Sequence, residues 1–224
     1  MITKKINKKI IIIVALTVFL ATVIIGGYEA THKYIKTVKS HPNIIMYENF
    51  DKLHNNADVV VIAKVIGNRE NIVDGKDLGQ NGYTLTEIEI KNILKNNKSH
   101  KLDVNDKIKM TEPYYIMKDD MFKPDIKNII DGYTELKDDC IYTLALAWND
   151  EANTYSTKGV YQCKYNIDGK DKEELETWDI KDNSSSNRKK RSLDSQESKN
   201  TVQKLRKGLF EKYGSEIQKT LEDN

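Results

Sequence analysis

Hydrophobic positions are distributed very unevenly along this chain. Ile10 to Ile25 is an apolar run interrupted only by Thr17 and Thr22. It is rich in Ile and Val, which in water would favour a strand. In lipid the backbone must satisfy its own hydrogen bonds, so the expected form is a helix. Extended by Gly26, Gly27 and Tyr28, it reaches about 28 Å at 1.5 Å per residue, close to a hydrocarbon core of about 30 Å. Ala57 to Ile66 is the next apolar run and is bounded by polar residues. Its length and its Val and Ile content predict a strand buried on both faces. Tyr83 to Leu94 alternates in character, as a strand with one polar face does. A short strand is expected at Lys107 to Thr111, and another at Tyr114 to Met117. Cys140 to Trp148 is a further strong strand, with a return over Tyr155 to Ile167 broken by Gly159.

The flanking segments are more polar. Ile44 to Asn56 predicts a short helix, and Gly67 to Gly82 an exposed loop rich in Asn, Asp and Gly. Pro113 to Asp131 is otherwise irregular. Residues 168–200 lose hydrophobic period, and 182–198 have the composition of a disordered linker. Val202, Leu205, Leu209, Tyr213, Ile217 and Leu221 then fall on one stripe of an amphipathic helix over 201–222.

This pattern gives a domain plan. Residues 1–9 are a basic segment, 10–28 a transmembrane signal anchor, and 29–43 a juxtamembrane spacer. Residues 44–167 form a mostly β (α+β) domain, 168–200 a polar linker, and 201–222 a helix. Lys4, Lys5, Lys8 and Lys9 precede the apolar run, so the basic end stays in the cytoplasm and the remainder is extracellular, as a single-pass protein of the cell membrane. A cleaved secretory signal is the alternative, although the small-residue pairs after the run are poor cleavage sites.

Charge narrows the function classes. The chain has 36 Lys+Arg against 34 Asp+Glu; without the four N-terminal lysines, 32 remain against 34. A nearly neutral exported domain gives no reason to expect nucleic-acid binding.

Candidate chemistry is sparse. The two cysteines are Cys140 and Cys163. A hairpin turning at Asn149 to Thr154 sets Trp148 opposite Tyr155 and, in the same register, Cys140 opposite Cys163, within disulfide reach. Two unpaired buried thiols are the alternative. His32, His41, His54 and His100 have no ligand spacing, and HExxH and CxxC are absent, so no metal or cofactor is expected. Asp119-Asp120 and Asp138-Asp139 read as turn caps. No GxSxG, SxxK or phosphate-loop pattern provides a nucleophile, and no catalytic residue is expected. Arg188 to Arg191 is a basic run suited to a solvated linker, an anionic contact or processing.

Aromatic residues crowd the second half. Tyr142, Trp148, Tyr155 and Tyr161 are candidates for a binding face, or for barrel packing with hydroxyls at the rim.

The order of elements resembles small exported OB-like β-barrels of Gram-positive bacteria, similar to the netrin / tissue-inhibitor-of-metalloproteinase module. The residues carrying the resemblance are Ala57 to Val65, Tyr83 to Lys95, Asp106 to Lys109, Leu136, Cys140 to Leu146, and Gly159 to Tyr161. It covers roughly residues 44–167 and implies a small antiparallel barrel with flanking helices. The inhibitors of that group use an N-terminal Cys on the protease zinc. This chain has none there, so inhibition does not carry over. The expected function is a non-catalytic, membrane-tethered envelope module, binding or structural, with no ligand identified and an envelope protein or polysaccharide as candidate partner. The alternative is an accessory partner of another membrane protein, docking through the C-terminal helix.

Overall fold

The computed structural model describes residues 8–32, 35–74, 81–97, 100–118, 123–178 and 193–223, with backbone alone at 8–12, 28–32 and 193–195. The chain divides into two compact units, Met1–Lys39 with Ile116–Asn128, and Ser40–Tyr115 with Ile129–Asn224.

In the smaller unit, α1 (Lys8–His32) carries the apolar run, and its large side chains from Ile13 to Ile25 are exposed. Among the described residues no helix is long and apolar enough to cross a membrane; the described side chains of α1 run from 13 to 27. β1 (Ile35–Ser40) occupies part of the expected spacer. It is an edge strand of a three-stranded sheet of order β1-β6-β5.

The larger unit is organised by one strand. After α2 (Phe50–Asn56), β2 (Val59–Asp74) pairs antiparallel with β3 (Asn81–Asn96). The segment expected as a loop is therefore mostly strand: β2 runs eight residues past Ile66, with bulges between Val65 and Glu70. Polar composition hid this, because that ribbon is exposed and has no apolar face to read. β4 (Lys107–Glu112) and β5 (Tyr114–Met117) follow, then β6 (Asp125–Ile130), which lies in the stretch expected to be irregular. β7 (Ile141–Asn149), β8 (Thr154–Thr157) and β9 (Lys164–Asn166) complete the sheet.

Strand order is β2-β3-β4-β8-β7-β9, and β2 also pairs with β7. The pairings β2–β3–β4–β8–β7–β2 thus return to their starting strand, with β4–β8 as the one parallel step. Alternate residues of β2 feed two cores. Val59, Val61, Ala63 and Val65 pack with Ile88, Ile90, Met110, Leu144 and Leu146. Val60 and Ile62 pack with Ile141, Ala145 and Tyr165 beneath α2 and α4. The expectation of burial on both faces is met by this arrangement.

Two helices lie in or beside the segment expected as linker, α3 (Lys172–Trp178) and α4 (Leu193–Glu222). The intervening 179–192, including Arg188 to Arg191, lies outside the described residues. On α4 the apolar stripe is buried: Val202, Leu205, Leu209 and Ile217 are at most 2% exposed. α2 and the outer face of the sheet cover that stripe.

The α2–α4 crossing requires Gly208, where an added Cβ would stand 2.8 Å from Phe50 Cβ. Gly214, just past the non-helical Tyr213 that kinks α4, has open space around it. Gly208→Ala should destabilise the fold by about 1–3 kcal/mol through overpacking. Gly214→Ala should leave it unchanged or raise stability by up to about 1 kcal/mol. Thermal melts of the two variants check this contrast.

Candidate functional site

Strand alternation decides where the candidate aromatics go. Trp148 and Tyr155 face each other across β7–β8 in the expected register. His100 stacks on Trp148 with ring centroids 3.7 Å apart, and Tyr155 meets it edge-on at 5.1 Å. The Trp148 indole N–H donates to Asp150 Oδ1 at 3.0 Å, and its backbone N–H to Asp58 Oδ2 at 2.8 Å. Tyr142 is buried in the inner core, while Tyr161 is buried in the outer one with its ring 5.2 Å from Trp178. The four do not share a face. Tyr142, Trp148 and Tyr155 lie on the inner face, and Tyr161 departs from it because a 3₁₀ turn, Val160–Cys163, carries it to the outer core.

That turn also moves the cysteines apart. In the hairpin register Leu144 would face Gly159; it faces Lys164, five residues later. Gly159 and Val160, at φ 82° and 54°, begin the turn that absorbs those residues. Cys140 packs in the inner core and Cys163 in the outer, and both are free thiols. The expected opposition of Cys140 and Cys163 is corrected accordingly. Burial pushes the Cys163 thiol up to about 12 and raises that of Cys140, so neither is a ready nucleophile.

Beside Trp148 an open groove of about 680 Å³ runs between residues 43–47 and the end of the β7–β8 hairpin. Ile44, Ile45, Tyr47 and Val160 supply apolar walls, and Asn43, Asp150, Glu151, Ser156 and Lys158 supply polar groups. Gln162 fixes one wall. Its Oε1 accepts from Tyr47 N–H at 2.9 Å, and its Nε2 donates to Tyr47 O at 3.3 Å. Gly159 is needed here, since a Cβ would stand 3.0 Å from the Tyr47 ring.

Two buried ionic clusters lie elsewhere in the unit, and no sequence motif announced them. In the first, fully buried Glu112 accepts from Thr86 Oγ1, from Tyr133 O–H at 2.9 Å and from Leu136 N–H at 2.8 Å. Arg69 lies 4.0 Å from it and also holds Asp138 and the Leu136 carbonyl. Burial, aided by the Glu112 charge, pushes the Tyr133 hydroxyl well above its ordinary value. In the second, Lys164 Nζ is 2.9 Å from Glu174 Oε2 and 3.9 Å from Asp171 Oδ2. Tyr142 O–H donates to that same Asp171 oxygen at 2.7 Å, and its own titration is pushed far up, first by burial and then by this bond. The Lys164 ammonium stands 5.0 Å and 5.5 Å from the Tyr142 and Tyr133 ring centroids.

The remaining candidates are occupied by structural contacts. Asp139 pairs with Lys64 at 2.9 Å. His41 lies 3.7 Å from Asp131, and His54 Nε2 is 2.8 Å from Tyr213 Oη. The His32 side chain and Asp119-Asp120 fall outside the described residues. Among the described residues no group of His, Cys, Asp and Glu could hold a metal. Comparison with protein-family models and with curated proteins finds no match to the chain.

Glu112→Ala should cost about 3–5 kcal/mol, because it leaves three donors in the interior without their acceptor; denaturant unfolding measures it. A second outcome concerns pH. Burial lowers the His54 pKa from its ordinary 6.5, reinforced by Lys212 and Lys95 and opposed by Asn55 and Asp51. The unfolded chain therefore binds the proton more readily, and stability falls as pH drops below about 6.5 towards the folded value. Melting temperatures from pH 7.5 to 5 should fall less steeply in His54→Gln than in wild type.

Proposed function

We propose that this chain is a membrane-tethered, non-catalytic binding module of the cell envelope, with an OB-like barrel as its larger unit. The observation that carries the reading is the groove beside Trp148, which combines a half-buried indole with amide, carboxylate, hydroxyl and ammonium groups. That mixture suits a polysaccharide or an extended peptide strand, which offers both flat apolar patches and dense hydrogen-bonding groups. Support for the barrel comes from the returning strand pairings with one parallel step. OB-like barrels bind through the loop joining their last two strands. Here the corresponding connection is Asp150–Asn153, which borders the groove.

Support for the tether comes from the four lysines and the apolar run, carried in a helix of 25 residues with exposed apolar side chains. Support for a non-catalytic role comes from Glu112, Asp171 and Glu174, which are engaged by internal donors and sealed from solvent.

Two measurements test the reading. The full chain should sediment with membranes, resist alkaline extraction, and be cut by protease added outside wall-stripped cells. Trp148→Ala should weaken retention on isolated cell-wall polysaccharide by about tenfold, the scale of losing one aromatic anchor. A chain shielded from external protease until the cells are lysed overturns the topology, and unchanged retention overturns the groove.

A further inference from the structure

The Lys164 cluster has an arrangement that a structural ion pair does not need. An amine, a carboxyl group with both oxygens held by donors, and a second carboxylate touching the amine are closed together in the interior. Lys164, Asp171 and Glu174 are each no more than 2% exposed. Asp171 Oδ2 accepts from Tyr142 O–H at 2.7 Å, and Oδ1 accepts from Glu174 N–H at 3.1 Å. Two donors on one carboxyl group draw electron density from Cγ and stabilise the oxyanion that forms when it is attacked. Glu174 is held separately. Its Oε1 accepts from Asn166 N–H at 2.8 Å, which leaves Oε2 directed at Lys164 Nζ at 2.9 Å. Asn166 is itself fastened to Asp168 and to the Ile141 carbonyl.

We propose that Lys164 and Asp171 condense to an intramolecular amide, with Glu174 as the proton carrier. Lys164 gives one ammonium proton to the carboxylates, leaving a neutral amine and a neutral Asp171 acid. The amine lone pair then forms a bond to Asp171 Cγ. Glu174 takes the second amine proton and returns it to the departing hydroxyl. The Cγ–O bond breaks, one water leaves, and Glu174 is again a carboxylate. No electrons are exchanged and no co-reactant is needed.

Three features favour this course. Lys164 Nζ already lies 3.9 Å from Asp171 Oδ2, an oxygen bonded to the carbon to be attacked, so the two groups are brought together before the reaction. Burying an ammonium with a carboxylate is costly, and the amide removes both charges. The amide N–H is left beside Glu174, which accepts from it. Asp171 is the electrophile and Glu174 the carrier because it is Asp171 whose two oxygens both take donors from the protein, whereas one Glu174 oxygen faces the amine.

Peptide mapping of the full chain, purified without heating and then denatured, reads the bond directly. Trypsin should not cut after Lys164. The intact chain should weigh one water less than its sequence, and the loss should map to residues 159–172. Asp171→Ala should restore cleavage after Lys164. Glu174→Gln should leave most chains unlinked while its circular dichroism and melt show a folded protein. Free Lys164 in wild-type protein overturns the proposal, whatever the variants do. A water loss mapping to Glu174 in place of Asp171 overturns the assignment of roles.

Discussion

The central constraint in the larger unit is that β2 is apolar on both faces and must be covered on both. Val59, Val61, Ala63 and Val65 alternate with Val60 and Ile62, and all six are at most 2% exposed. A strand of that composition is unstable at a sheet edge or against water on either side. It is made central by pairing with β3 along one edge and β7 along the other, over Val59–Lys64. Pairing on both edges draws the strand set back on itself. One face then becomes an enclosed core, and the other requires an external cover. α2 and α4 supply that cover, which explains why α4 has a buried stripe and why Gly208 must let Phe50 approach it.

Enclosing the inner core leaves polar groups at places water does not reach. Every hydrogen-bonding group there needs an internal partner, since a lone buried donor or acceptor costs about 1–3 kcal/mol. Glu112 collects a hydroxyl, a phenol and a backbone amide, and so ties β3, β4 and the segment before β7 into one unit. Lys164, Asp171 and Glu174 do the same where β9 meets α3, and Asp171 is also the N-terminal cap of that helix. Both clusters anchor segments with few apolar residues, for which hydrophobic burial alone is a weak restraint.

Legibility in the sequence follows this division. Strands with an apolar face were readable by period: β2 through Val65, β3, β4 and β7 lie where alternation or an apolar run places them. The stripe on α4 was readable for the same reason, and so was the Trp148–Tyr155 register, set by a short turn. The outer half of β2 and β6 were not, because exposed or half-buried strands carry no contrast between faces. The site was less legible still. Tyr142 and Tyr161 look alike in a list of aromatics, and only the 3₁₀ turn that ends the hairpin register separates them. Lys164, Asp171 and Glu174 read as ordinary charged residues in a region of decaying period. The one hint was the spacing of Asp171 to Glu174, a cap three residues before an acid at a helix start.

A single local event links the groove to the buried lysine. Had β8 continued in its hairpin register, Lys164 would lie beyond the stretch of β7 that β9 occupies, and Tyr142 would face Tyr161. Gly159 and Val160 turn the backbone left-handed instead, and a Val there is strained by roughly 1–3 kcal/mol. The strain is held by neighbours: Tyr47 packs against Gly159, Gln162 clamps Tyr47, and Cys163 S–H donates to the Val160 carbonyl. The turn leaves Lys158 and Val160 on the groove wall and delivers Lys164 opposite Leu144, where its side chain reaches Asp171 and Glu174. Both arrangements of polar groups in this unit that exceed what packing requires therefore depend on the same few residues, whose conformation the strand pattern alone would not have chosen.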